Sequence, residues 1–235
     1  MFYALTFLAV GALWFYQATT SPVWWLTFLL CNVGLSFALV GLGFALSVSC
    51  GYGSTYASQI FGKKANGKRK WWIYPIHWSF FILNGMIFHL HHWRSKENWC
   101  DEVFPQVWIG RLPIKQDQKA WSELAVQGVV DATAEFMVQD YIKEEQLLCI
   151  PTFDETPPSL EDLKEASAWI EEKRKLGPVY VHCAYGHGRS ATIVAAWLLT
   201  YGHCQSVKEA EDLMKEKRPK VRLNSWHKKA LEELQ

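Results

Sequence analysis

Late in the chain, the apolar run Pro178-Val179-Tyr180-Val181 leads directly into His182-Cys183-Ala184-Tyr185-Gly186-His187-Gly188-Arg189-Ser190. The run reads as a buried strand, and the apolar residues from Ala191 to Leu199 read as a helix. A cysteine therefore stands at a strand end, and an arginine six residues later stands where the next helix begins. Successive backbone N–H groups in so short a loop face inward and form a concave anion site. The helix N-terminus adds about half a positive charge at the same place. Arg189 supplies a planar fork suited to two phosphate oxygens. A thiol in these surroundings ionises readily, and the thiolate is the nucleophilic form. The pattern favours attack by sulfur on a bound phosphate monoester. A lone buried cysteine is more often an inert small hydrophobe. The flanking His182 and Arg189, at a strand-to-helix turn, argue against that here.

The rest of the chain divides into two environments. The overall balance is +1, from 24 Lys/Arg and 23 Asp/Glu. Yet the first 100 residues hold seven Lys/Arg and one acid, Glu97, and the remainder holds 17 Lys/Arg and 22 acids. Residues 1–90 read as a helical membrane region. Residues 2–16 and 23–48 are uncharged apolar runs, and the second is long enough to cross a hydrocarbon core of about 30 Å. The polar turn Gln17-Ala18-Thr19-Thr20-Ser21-Pro22 between them predicts a helical hairpin. A signal peptide is the alternative for the first run, but it lacks a basic start and a small-residue cleavage site. Trp24-Trp25 and Trp71-Trp72 resemble the aromatic belts that flank spans.

The basic cluster Lys63, Lys64, Lys68, Arg69 and Lys70 places residues 51–70 on the cytoplasmic side. The third apolar segment, residues 71–90, either crosses or lies in the interface, and positive flanks on both sides favour the interface. The chain is then an integral membrane protein with its catalytic part on the cytoplasmic face, a compartment that also preserves a reactive thiolate. His89, His91 and His92 read as a polar patch. Cys149 reads as core packing, with a redox pairing to Cys183 as the alternative.

Residues 91–105 read as a linker and 106–235 as one catalytic domain. Strands are predicted at 107–110, 128–133, 147–151 and 179–183. Helices lie between and after them, with capping signals at Ser159, Ser206 and Asn224 or Ser225. This alternation implies an α/β fold with a central, mostly parallel sheet flanked by helices. The active loop then sits at the carboxyl end of a central strand, where such folds place ligand sites.

Over residues 107–235 the chain resembles the cysteine-dependent protein tyrosine phosphatase superfamily, and within it the small dual-specificity type. The signature is the H-C-x5-R-S loop. Val107-Trp108-Ile109-Gly110-Arg111-Leu112 resembles the opening strand, Gly128 to Thr133 the second core strand, and Leu147 to Asp154 the strand and acid loop. Arg218-Pro219-Lys220-Val221-Arg222-Leu223-Asn224 resembles the basic turn before the last helix.

The resemblance implies Cys183 as nucleophile, Arg189 as phosphoryl clamp, and Asp154 as general acid and then base. It implies that Ser190 aids departure of the sulfur and that His182 holds the loop. Ala184, Tyr185, Gly186, His187 and Gly188 would form the phosphate-binding loop. It implies no cofactor and no metal. Glu155 is the alternative acid. The loop has no Lys, unlike the lysine-rich loops of phosphoinositide phosphatases, which argues against a highly charged inositide.

The expected partner is a phosphoprotein carrying phosphotyrosine, phosphoserine or phosphothreonine. The alternative is a phospholipid headgroup, as in phosphatidylglycerophosphate phosphatases, and an inactive phosphate-binding scaffold is a third possibility. An acidic catalytic domain argues against nucleic acid. The sequence carries no signal of oligomeric state.

Overall fold

The computed structural model describes residues 2–20 and 23–235. Two long helices come first, α1 (Phe2–Thr20) and α2 (Trp24–Ser49), packed against each other. Gly11 allows the close approach, because a Cβ there would sit 2.8 Å from the Gly34 carbonyl oxygen. A short helix α3 (Ala57–Phe61) and a 3₁₀ turn (Trp71–Ile73) precede α4 (Tyr74–Arg94). The rest alternates: β1 (Cys100–Phe104), β2 (Val107–Gly110), α5 (Gln118–Leu124), β3 (Gly128–Thr133), β4 (Leu147–Thr152), α6 (Leu160–Lys173), β5 (Val179–His182), α7 (Arg189–Thr200), α8 (Val207–Lys217) and α9 (Ser225–Leu234).

The five strands form one sheet in the order β1-β2-β5-β3-β4. All neighbours run parallel except β1, which pairs antiparallel with β2. The sheet is mostly parallel and flanked by helices, as expected. Alternate residues of β5 serve opposite faces. Val179 and Val181 join the larger core beneath α6, α7, α8 and α9, whereas Tyr180 joins a smaller one with Trp121, Val129 and Leu147. Helix starts follow the capping signals. The Ser159 hydroxyl accepts from Asp162 N–H and the Asp162 carboxylate accepts from Ser159 N–H, and the Asn224 side chain accepts from the N–H groups of Trp226 and His227.

Several expectations need correction. Residues 100–104, read as linker, are a strand of the sheet, because Cys100 to Phe104 find ladder partners along β2. The sheet therefore begins before residue 106. Gln17 to Thr20 continue α1 rather than turning, and Ser21 and Pro22 lie outside the described residues. By length and composition α2 alone, among the described residues, is apolar enough to cross a membrane, and nearly half of that stretch is buried inside the protein. Cys149 and Cys183 cannot pair. β3 lies between their strands, and two strand spacings of about 4.8 Å exceed the roughly 7 Å Cα limit for a disulfide.

The basic segment after α2 is only partly a solvated loop. Lys63 is fully buried, with its ammonium donating to Asp131 Oδ2 (2.6 Å), the Thr133 carbonyl (2.6 Å) and Thr133 Oγ1 (2.9 Å). Arg69 donates to the Phe61 and Glu135 carbonyls and lies 3.7 Å over the Phe81 ring. Phe37, Val40 and Phe44 of α2, Phe61 and Phe80 pack with Ala134 and Phe153 of the α/β part. Each such Phe contributes about 1.5–3 kcal/mol of burial. The helical and α/β parts thus share a core.

Helix α4 lies along the α/β part. Near its start Tyr74 Oη donates to Met137 Sδ, and near its end the His91 ring is 4.3 Å from that of Tyr185. His77, Phe80 and Phe88 form its buried stripe, while Trp78, Ile82, Met86, Ile87, Leu90 and Trp93 are exposed.

Candidate active site

Strand β5 ends at His182, and α7 begins at Arg189. The loop between them is held from outside by its carbonyls. Leu112 N–H donates to the Ala184 oxygen (3.1 Å), and Arg222 N–H donates to the His187 oxygen (3.0 Å). The Arg218 guanidinium donates to the Tyr185 and Gly186 oxygens, both at 2.9 Å. In a planar trans peptide the N–H points opposite to the C=O. Four outward carbonyls therefore turn the N–H groups of Tyr185, Gly186, His187 and Gly188 inward, which builds the anion cradle. Gly186 N–H accordingly donates to Cys183 Sγ at 3.2 Å. Gly186 sits at φ 77°, and a Cβ there would lie 2.4 Å from the Gly110 backbone. No other residue fits this position.

Cys183 is buried, with Ser190 Oγ 3.4 Å from its sulfur. Burial alone would push the thiol up. The Arg189 charge and the hydrogen bonds from Ser190 outweigh it and hold the thiol below its ordinary value. His182 is fully buried, its Nδ1 3.4 Å from the Cys183 carbonyl oxygen and 3.9 Å from Asp131 Oδ1. Burial lowers its pKa against the opposing pull of Asp131.

Arg189 is buried at the start of α7. Its Nη1 and Nη2 donate in parallel to Glu135 Oε2 (2.9 Å) and Oε1 (2.8 Å), and Nη1 also reaches the Thr152 carbonyl (2.8 Å). Nη2 lies 3.0 Å from Asp154 Oδ1. Nε is buried and has no partner among the described residues, so one donor of the fork remains for a bound oxygen. Burial would raise the Glu135 pKa, but the Arg189 charge and hydrogen bonds win and lower it.

Asp154 is largely exposed and stands at the mouth of a pocket that it lines with Cys183, Tyr185, His187, Gly188, Lys220 and Arg222. Glu155 also lines it, but its backbone adopts φ 62° and its carboxylate is bound by the Asn224 amide at 3.3 Å. His187 turns to the side, 3.0 Å from Glu97, which in turn pairs with Lys220. Among the described residues no three potential metal ligands converge.

Cys183, Asp154, Tyr185, His187 and Gly188 thus line one pocket, with Arg189 against Asp154 and Ser190 against Cys183. Glu135, Arg218 and Lys63 support the site and were missed from sequence. Glu135 carried one signal, its place just beyond the carboxyl end of β3.

A family model described as the dual specificity phosphatase catalytic domain matches residues 107–235. Phosphatidylglycerophosphate phosphatase PTPMT2 of Arabidopsis thaliana is 31% identical over 147 residues, covering 60% of this chain and 64% of that protein. The Homo sapiens protein named phosphatidylglycerophosphatase and protein-tyrosine phosphatase 1 is 30% identical over 128 residues, covering 50% and 63%. The chain therefore spans less than two thirds of these relatives' lengths. The crystal structure of PTPMT1 in complex with PI(5)P superposes with a TM-score of 0.53 at 25% identity, covering 58% of this chain and 94% of that one.

Proposed function

This chain belongs to the dual specificity phosphatase family, and on that footing we propose that it is a cysteine-dependent phosphatase that removes a terminal phosphate from a phospholipid headgroup at a membrane surface. The Cys183 thiolate attacks phosphorus, and the S–P bond forms as the P–O bond to the leaving group breaks. Asp154 gives its proton to the departing oxygen. Its carboxylate then takes a proton from water, whose oxygen attacks phosphorus and displaces the sulfur. The Ser190 hydroxyl stabilises the departing thiolate. Arg189 and the inward N–H groups hold the phosphoryl oxygens throughout, and preorganised donors of this kind are a main source of rate. Asp154 is better placed than Glu155 to serve as the acid, because it reaches the phosphoryl clamp at 3.0 Å while Glu155 is tied to Asn224.

One observation carries the lipid assignment: α4, apolar on its outer face, lies directly against Tyr185 of the catalytic loop through Phe88 and His91. Contacts near both of its ends with the α/β part suit a helix lying in the membrane interface rather than crossing it. Residues 50–70 and the α/β part then share one side, since Lys63 enters the latter. Lys64, Lys68 and Lys70 stay exposed, so the positive-inside tendency still favours the cytoplasmic face. α2 is the anchor. The relatives named for phosphatidylglycerophosphate support this substrate class. The human relative's name also carries protein-tyrosine phosphatase, and the loop suits phosphoproteins too.

Full-length protein in bilayers, offered phosphatidylglycerophosphate and phosphopeptides, separates the two. We expect kcat/KM to favour the lipid by about tenfold or more, a difference in transition-state binding. Preference for the peptides would overturn the lipid assignment and leave a protein phosphatase.

A further inference from the structure

A second, open-mouthed cleft with room for about 200 Å³ lies beside the catalytic pocket. Val40, Phe44, Phe61, Phe80, Phe136 and Phe153 form its apolar walls, and Asn84 lies along it. Asp154, Glu155 and Tyr185 line both clefts, so a ligand whose phosphate sits over Cys183 reaches the second cleft by passing them. Apolar walls with a few polar groups are usual for small-molecule sites.

We infer that this cleft takes an acyl chain of the phospholipid whose phosphate Cys183 attacks. The inference rests on the lipid assignment above and adds how the lipid is recognised. Three features select a hydrocarbon occupant. The cleft shares Asp154, Glu155 and Tyr185 with the phosphate site. Most of its surface is apolar, with Asn84, Glu135, Asp154, Glu155 and Tyr185 as the polar lining, and burying peptide N–H and C=O groups against the apolar part without hydrogen bonds is costly. Val40 and Phe44 of its walls come from α2 and Phe80 from α4, and the outer faces of these two helices expose Leu35, Leu42, Ile82 and Met86. A chain leaving a bilayer along those faces enters without crossing water.

A soluble short-chain series tests this, because an acyl chain already in a bilayer gains little by entering a second apolar site. Full-length protein in bilayer discs is offered the deacylated headgroup phosphate and its dibutanoyl and dihexanoyl lipids. For each methylene that enters the cleft, kcat/KM should rise by up to about fourfold. Partition into the disc also grows with chain length, but equally for a variant. Asn84→Trp, which fills the cleft, should flatten the dependence on chain length, and an unchanged slope would overturn the inference. Hydrolysis of lipids with that unchanged slope sinks the cleft alone. Turnover of aryl phosphate and phosphopeptides but of no lipid sinks the lipid assignment as well.

Should Asn84→Trp not fold, a second measurement decides. Full-length Cys183→Ser in phosphatidylcholine vesicles is photolysed with phosphatidylglycerophosphate bearing a mid-chain diazirine. Label on the peptides of Phe44, Phe80 and Phe153, above that from diazirine phosphatidylcholine, is the expected result. Equal labelling by both lipids contradicts it.

Discussion

Arg189 keeps its charge in a buried position because Glu135 answers it with two parallel hydrogen bonds. Removing one partner of such a pair strands the other and costs about 3–5 kcal/mol, so Glu135→Ala should lower both the melting temperature and kcat. The folded Glu135 pKa lies below the ordinary carboxylate value. Its contribution to stability is therefore complete above the unfolded value of about 4.3 and is lost as pH falls through the folded one. Thermal unfolding from neutral to acid pH should show this loss in the wild type and a flatter profile in Glu135→Gln; identical profiles would contradict it. For Asp154→Ala, kcat should fall by about 10²–10⁴ on alkyl phosphates and far less on aryl phosphates with good leaving groups. The same pattern from Glu155→Ala would reverse the two assignments. That Cys183, Arg189, Ser190 and Asp154 would lie near one another was legible in the sequence, because the loop motif and the strand before it are local. Glu135 was not, since its partner is 54 residues away.

The loop, β5 and α7 announce themselves as one strand–turn–helix unit, and the capped helices α6 and α9 begin where their polar signals stand. β1 was hidden, because its polar residues and the Trp-rich approach to it looked like a tether. α4 was ambiguous for a physical reason: both of its faces are apolar, one against the protein and one outward, so composition resembled a span. The proposed place of α4 in the membrane interface predicts a depth. A fluorophore on Met86→Cys, at an exposed site of the outer face, should be quenched by lipid-borne quenchers in vesicles. Quenching by aqueous iodide alone would place that face in water.

The molecule is more unified than its sequence suggested, since Lys63 leaves the helical region to neutralise Asp131 beneath His182. Nothing local marks that pairing, and a cluster of five basic residues reads naturally as a solvated loop. Lys63→Met should destabilise the protein by about 3–5 kcal/mol. Asp131→Asn in the same chain should recover part of that loss, a coupling that a double-mutant cycle of melting temperatures would measure. Strict additivity would show that Lys63 and Asp131 do not stabilise each other. On the proposed reading, fold, sheet face and shared core all serve to hold the Cys183 sulfur, its pKa lowered by Arg189 and Ser190, against a phosphoryl group. The direct test is rapid-quench of full-length protein with labelled substrate, followed by peptide mass analysis. A phosphoryl group on the Cys183 peptide, absent from Cys183→Ser along with turnover, is the predicted result. Hydrolysis that persists in Cys183→Ser, or proceeds with no phosphoryl on Cys183, would contradict the account.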